Sequence, residues 1–149
     1  MLRAGDCLLI ADPADESSAH FGIVISDPSL NAQSILLVGL TTWEDYKDDS
    51  CILEPADWPE LSFLRHRSCI DYRHALCASE AEIETWVKSG RAQFRGSVTP
   101  ALLDRARRGA QETRFLAMKY VLLLADQGLI ELKKRRASVC ISPPSSAGW

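Results

Sequence analysis

The first half of the chain places its apolar residues in short runs that are separated by polar turns. β-Branched and aliphatic residues dominate these runs, and their close spacing is typical of antiparallel strands. Asp12-Pro13 and Asp27-Pro28 end the first two runs, as expected of turns. The predicted strands cover residues 7–11, 20–26, 33–43, 51–54 and 67–73, and the small, acidic segment 13–19 is predicted to be a loop.

Helix signals replace this pattern after the last predicted strand. Ser79 and Glu82 have the spacing of a capping box, and Gly90 is placed to end the helix that they begin. Thr99-Pro100 is a second start signal, because threonine caps helices and proline favours their first position. An apolar stripe then recurs every three or four residues, which predicts one helix of about 28 residues that ends near Gly128.

Segment 115–125 is apolar on nearly all sides of this predicted helix. A helix of this kind is buried on several sides, more than a lone small domain covers. We therefore expect a second copy of the chain to cover one side, which predicts a homodimer. The segment is only about half the ~20 residues that a transmembrane helix needs, so no membrane span is expected.

Length and composition predict a single domain. The chain has 149 residues, of which 46% are hydrophobic and 25% charged, as in an ordinary globular domain. We predict a mainly β domain with C-terminal helices over residues 1–130, followed by a basic, flexible tail at 131–149. The N-terminus shows no secretory signal and the five cysteines are odd in number and scattered, so we expect a cytoplasmic protein.

Charge and cysteine spacing disfavour two kinds of binding. The net charge of −3 argues against nucleic-acid binding through the overall field of the protein, which leaves a local basic patch. The cysteines lack the paired spacing of a structural zinc site. We predict neither a metal nor a cofactor.

Candidate chemistry gathers around the ends of the third and fifth predicted strands. Histidine readily exchanges protons at neutral pH, arginine holds phosphate through paired hydrogen bonds, and aromatic rings stack on bases. Together they suit cleavage of an RNA phosphodiester, in which a base removes the 2′-OH proton and cations stabilise the transition state. The residues of these types are His20, His66, His74, Arg65, Arg67, Arg73, Trp43, Trp58 and Tyr72.

Each of these residues also has a structural explanation. His20 can serve as a hydrogen-bonded residue at a strand start, and Trp43 and Trp58 can anchor loops to the core. The arginines can form a solvated strand face that is salt-bridged to the acidic segment 44–60. Composition and spacing leave this choice open.

A cysteine nucleophile is a further hypothesis. Gly5-Asp6, followed later by His20 with Gly22-Ile23, resembles permuted papain-like amidases and lipid hydrolases, in which a cysteine later in the chain attacks the substrate. Cys69 or Cys77 would be that cysteine. Cys69 falls in a predicted strand, whereas Cys77 precedes a helix start, where thiolates are stabilised.

The order of the motifs also resembles the PemK/MazF-like toxin family. The likeness spans about residues 4–115, and no single motif in it is strong. The matching motifs are Gly5-Asp6 before a strand, a His20-led strand ending in Ser26-Asp27, a strand ending in Thr41-Thr42, Ser68 near the start of a later strand, and Thr99-Pro100 before the C-terminal helix.

The resemblance implies an SH3-like antiparallel β-barrel followed by a short helix and a long C-terminal helix. It also implies a dimeric, metal-independent endoribonuclease that cleaves single-stranded RNA and is inhibited by an antitoxin protein. In our first hypothesis His20, Thr42 and Arg67 are the catalytic residues. The substrate-binding residues in this hypothesis are Thr41, Trp43, His66, Asp71 and Arg73.

Phe21 departs from the family pattern. Members carry an arginine after the strand-leading histidine, and loss of such a cation costs on the order of 10²-fold in rate. The chain is therefore expected to be either an active member or a catalytically weakened relative. A second hypothesis is a non-catalytic SH3-like barrel that acts as a binding or regulatory module.

Overall fold

A computed structural model describes residues 1–12 and 14–132 of the chain. Six antiparallel strands form one sheet in the order β4-β5-β3-β2-β1-β6. The strands are β1 (Asp6–Asp12), β2 (Asp15–Val24), β3 (Ile35–Thr42), β4 (Ile52–Leu53), β5 (Ser68–Ala78) and β6 (Ala92–Ser97). The predicted basic tail lies outside the described residues, apart from Glu131 and Leu132.

The sheet is open, so the structure confirms the mainly β class but not a closed barrel. Within the described part of the chain, the edge strands β4 and β6 do not pair with each other. The loop prediction is wrong for residues 15–19, which belong to β2, and Asp15 and Ala19 pair with the end of β1. β6 was not predicted, because this exposed edge strand is mostly polar and shows no apolar alternation.

Three helices follow or interrupt the strands: α1 (Glu80–Ser89), α2 (Pro100–Glu112) and α3 (Met118–Asp126). The predicted capping box is confirmed, since Ser79 Oγ accepts from the Glu82 N–H and the Glu82 carboxylate accepts from the Ser79 N–H. Gly90 ends α1 with a φ of 84°, a backbone conformation that glycine adopts without strain. Two short 3-10 turns, Pro55–Asp57 and Pro59–Leu61, connect β4 to β5.

The prediction of one long C-terminal helix is wrong, because the chain breaks between α2 and α3. Thr113 has extended backbone angles, and its hydroxyl donates to Asp48 Oδ2 at 2.6 Å and accepts from the Phe115 N–H at 3.0 Å. These bonds satisfy the backbone outside a helix and compete with helix continuation. Gly128, with a φ of 73°, follows the end of α3 as predicted.

Both faces of the sheet carry apolar residues. The face that we call the α1 face holds Leu8, Ile10, Val24, Ile35, Leu37 and Ala78 beneath Ile83 of α1. The opposite face, the α2–α3 face, holds Cys7, Ile23, Ile25, Leu36, Val38, Ile70 and Tyr72 against Leu102, Ala106, Ala110, Val121 and Leu124. Burial on both faces explains why β1 and β3 read as continuous apolar runs rather than alternating ones.

Among the described helices, none combines the length and apolar character that a bilayer span needs.

Candidate functional site

A cavity of about 590 Å³ opens on the α1 face, beyond the part that α1 covers. Gly22 and Gly39 are paired across β2 and β3 and contribute no side chains to this area. We call the cavity the histidine cleft. Its polar lining consists of Asp12, His20, Asp71, His74 and Arg91, and its apolar lining includes Ile10, Phe21, Leu37 and Leu76.

Two histidine–carboxylate pairs line the histidine cleft. His74 Nδ1 lies 2.8 Å from Asp71 Oδ2, and His20 Nε2 lies 3.7 Å from Asp12 Oδ2. In the neutral form of His74, an Nδ1–H that donates to Asp71 leaves Nε2 as a proton acceptor. His20 faces Asp12 through Nε2, at the longer of the two distances, so its other ring nitrogen, Nδ1, is not the atom that pairs with Asp12. Both rings are largely exposed, so substrate has access to them.

An irregularity in β5 produces the Asp71–His74 pair. Leu37 and Gly39 of β3 are two positions apart, but their partners Leu76 and Asp71 are five positions apart in β5. β5 therefore bulges away from the ladder between Asp71 and Leu76. The His74 N–H faces Asp71 Oδ1 at 3.4 Å, which closes a local turn in this bulge. Bulges redirect side chains in this manner, often beside functional sites.

Arg91 supplies positive charge to the histidine cleft. Its guanidinium lies 4.5 Å from the centre of the Trp86 ring at the end of α1. Its Nε is buried, and no acceptor for it is present among the described residues. A buried donor without an acceptor is unfavourable. Arg91 lines the cleft, so its charge attracts an anionic group there.

A second cavity, of about 300 Å³, shares the Asp71–His74 wall with the histidine cleft. We call it the Tyr46 pocket. Of the predicted substrate-binding residues, Thr41, Asp71 and Arg73 line it. Lys47 adds a cation there, and its Nζ donates to Thr41 Oγ1 at 3.1 Å and to the Thr42 carbonyl at 2.6 Å.

The other predicted site residues lie outside both cavities. They lie where β3 ends and β5 begins, and they are Thr42, Trp43, His66 and Arg67. The Trp43 N–H donates to the Arg67 carbonyl at 2.9 Å. The Arg67 Nε donates to Glu54 at 2.8 Å, and its guanidinium lies 6.0 Å from the Trp43 ring. Arg67 thus forms a salt bridge to the acidic segment, as the structural alternative expects.

Of the three predicted stacking rings, Tyr72 is not placed for contact with a base, whereas Trp43 and Trp58 are partly exposed. Tyr72 is buried, and its hydroxyl donates to the Ala106 carbonyl of α2. Trp58 packs partly against the core of the α2–α3 face. The sequence signal was aromatic identity alone, which does not distinguish a buried ring from an exposed one.

The two candidate nucleophilic cysteines are in unfavourable surroundings. Cys77 belongs to β5 rather than to a helix N-terminus, and burial raises the pKa of its thiol. Burial likewise raises the pKa of Cys69 to about 11. Both thiols therefore stay protonated at neutral pH, which argues against a cysteine hydrolase.

Sequence reasoning noted His74 but did not assign it a role, and it missed Arg91, Tyr46 and Lys47. The spacing of three residues between Asp71 and His74 is visible in the sequence and could have indicated that the two side chains pair. Arg91 gave no such signal, since its position in the cleft depends on how α1 and β6 fold back onto the sheet.

No group of three or more potential metal-ligating side chains converges anywhere in residues 1–12 and 14–132. A scan against protein-family models gives no match for the chain, and a search of curated proteins also gives none. Function is therefore inferred from the residues of the site.

Proposed function

We propose that the chain is a metal-independent endoribonuclease of the PemK/MazF-like type, which cleaves single-stranded RNA in the histidine cleft. The observation that carries the proposal is that two carboxylate-paired histidines, His20 and His74, line one cavity. Two histidines supply the base and the acid that transesterification of RNA requires, and neither step needs a metal.

His74 is the general base in this mechanism. Its bond to Asp71 leaves Nε2 able to take the proton from the 2′-OH of the substrate. The 2′-oxygen then attacks the adjacent phosphorus while the bond from phosphorus to the 5′-oxygen breaks. His20 donates its proton to that 5′-oxygen. The products are a 2′,3′-cyclic phosphate and a 5′-hydroxyl.

Arg91 stabilises the phosphate in the transition state. Arg91 lines the same cavity as both histidines, so its positive charge is available to a phosphate there. Members of the family that the chain resembles carry an arginine after the strand-leading histidine. This chain has Phe21 at that position, and the centre of its ring lies 5.1 Å from the centre of the Phe63 ring. In the proposal Arg91 provides the missing cation.

The test is cleavage of a single-stranded RNA by the purified protein in the presence of a chelator. We expect His20→Ala and His74→Ala each to lower kcat/KM by about 10²- to 10⁴-fold, and Arg91→Met by about 10²-fold. His66→Ala and Arg67→Ala are matched controls outside the cavities and should stay within about threefold of the unaltered protein. Intact RNA at high protein concentration would reject the proposal in favour of a non-catalytic binding module.

An activated substrate distinguishes the base from the acid. In uridine 3′-(p-nitrophenyl phosphate) the leaving group needs no proton, so His20→Ala should approach the rate of the unaltered protein. His74→Ala should remain impaired, because the 2′-OH still has to lose its proton. Equal losses with both variants on this substrate would overturn the assigned roles.

The proposal also includes an SH3-like barrel as the more specific description of the fold. It is supported by the antiparallel succession of β1, β2 and β3, by β5 beside β3, and by the Thr99 cap with Pro100 at the start of α2. A cytoplasmic location belongs to the proposal as well.

A homodimer and an antitoxin are the partners that the proposal includes. Their support is the exposed pair Met118 and Leu122, which are four residues apart in α3 and so lie on one side of it. Light scattering at micromolar concentration should give twice the chain mass. A monomeric mass would contradict the dimer.

A further inference from the structure

Tyr46 is exposed to an unusual degree for an aromatic residue. Its side chain lies at the Tyr46 pocket and is 80% exposed, compared with 54% for Phe63 and 55% for Phe94. An aromatic ring buries a large apolar area when it is covered, so leaving it in water forgoes stability. The ring is therefore a candidate for contact with a ligand.

Hydrogen bonds rather than packing hold the Tyr46 ring. Its hydroxyl donates to Glu44 Oε2 at 2.7 Å, and this bond raises the pKa of Tyr46 and lowers that of Glu44. The Lys47 ammonium lies 5.9 Å from the ring centre and is itself held by Thr41 and Thr42. The ring is thus oriented before any ligand binds, which reduces the entropy lost on binding.

A second aromatic residue lines the same pocket. Phe115 lies in the break between α2 and α3, and the guanidinium of Arg73 is 4.7 Å from its ring centre. The pocket thus combines two rings with the cations of Lys47 and Arg73. This is the chemistry of sites for single-stranded nucleic acid, in which bases stack on rings and cations accompany the backbone.

The location of the pocket links it to the histidine cleft. Asp71 and His74 line both cavities, so the two cavities are adjacent. A nucleotide next to a phosphate bound in the histidine cleft would therefore be near the Tyr46 pocket. We propose that the Tyr46 pocket binds a nucleobase of single-stranded RNA, stacked on Tyr46, beside the scissile phosphate. This inference rests on the proposed function.

The test is equilibrium binding of a hexanucleotide with 2′-O-methyl groups throughout, which cannot be cleaved because it lacks the 2′-OH nucleophile. A second hexanucleotide has the same backbone but no bases. Tyr46→Leu should weaken binding of the first by on the order of 10- to 100-fold, the range for loss of one stacked base, and leave binding of the second unchanged. Because Tyr46 is exposed, the variant should remain folded.

Two variants serve as controls. Tyr46→Phe keeps the ring and loses only the bond to Glu44, so it should bind within about threefold of the unaltered protein. Phe94→Leu removes another exposed ring, on β6 at the opposite edge of the sheet, and should have no effect. Equal binding of the base-containing hexanucleotide by Tyr46→Leu and the unaltered protein would overturn the inference, and so would equal weakening with both hexanucleotides.

The same variants separate this inference from the proposed function. If the protein leaves RNA intact yet binds the base-containing hexanucleotide through Tyr46, the endoribonuclease proposal fails and the base subsite stands. If RNA is cleaved but binding does not depend on Tyr46, the base subsite alone fails.

Discussion

The two faces of the sheet are covered to different extents. On the α2–α3 face, two helices bury Tyr72 and a set of aliphatic side chains from four strands. On the α1 face, one helix covers only part of the sheet, and the remainder carries Gly22, Gly39 and the two histidine–carboxylate pairs. The covered face therefore supplies most of the packing, while the open face leaves polar groups accessible to a ligand.

The first prediction compares a leucine from each side. Leu102 of α2 is fully buried on the α2–α3 face, and Leu76 lines the open histidine cleft with 38% exposure. We expect Leu102→Ala to lower the free energy of unfolding by about 2–5 kcal/mol and Leu76→Ala by less than about 1 kcal/mol, as measured by urea denaturation. Similar losses for both would show that the two faces contribute alike.

Gly109 tests how closely α2 packs on the covered face. A Cβ at this position would overlap the Tyr72 hydroxyl and lie 2.7 Å from Cys51 Cβ. Gly109→Ala should therefore cost about 2 kcal/mol by overpacking, despite the better helix propensity of alanine. Adding Tyr72→Phe removes the overlapping hydroxyl and should recover part of the loss in thermal unfolding. A stabilised Gly109→Ala protein would contradict this packing.

Gly22 provides the matching test on the open face. A Cβ at this position meets only ordinary contacts, the nearest being Leu37 Cδ2 at 3.4 Å. Gly22→Ala should change stability by less than about 0.5 kcal/mol. If the proposed RNA cleavage takes place in this cleft, the variant should also reduce it on the order of 10-fold, because it adds a methyl group where the proposal positions the substrate. A stability loss as large as that of Gly109→Ala would remove the distinction between the faces.

Glu60 gives the smallest expected effect. Partial burial acts to raise its pKa, but hydrogen bonds from the Thr99 hydroxyl and N–H outweigh this, so the pKa is lowered. A carboxyl whose pKa is lowered on folding stabilises the protein above its unfolded pKa, and this contribution is lost as pH falls through the folded pKa. Glu60→Gln should therefore cost about 0.5 kcal/mol at pH 7 and nothing at pH 2–3. An equal cost at both pH values would exclude the linkage.

Local patterns predicted much of the sheet and the helix ends. Continuous apolar runs located β1 and β3 because both of their faces are buried. The capping box at Ser79 and the Thr99-Pro100 start of α2 depend on contacts between neighbouring residues, which the sequence displays directly. The break at Thr113 could not be read in the same manner, because it depends on Asp48, which is remote in the sequence.

The candidate site was only partly predictable for the same reason. His20 was singled out from its position at a strand start, and Asp71 and Arg73 from their place in an alternating strand. The meeting of His20 and Asp71 with His74 and Arg91 depends on the β5 bulge and on the path of the chain through α1 to β6. The particular partner of Arg67 was not predictable, because Glu54 lies 13 positions earlier in the sequence.

The β5 bulge also has a consequence for how this site can be altered. Both flanks of β5 stay paired with β3, at Asp71 and again at Leu76, while Tyr72 anchors the start of the bulge to α2. Residues 73–75 are thus free of the register that fixes the rest of the strand. Lengthening this tripeptide by one residue would shift the His74 ring relative to the histidine cleft without realigning the sheet on which it is mounted.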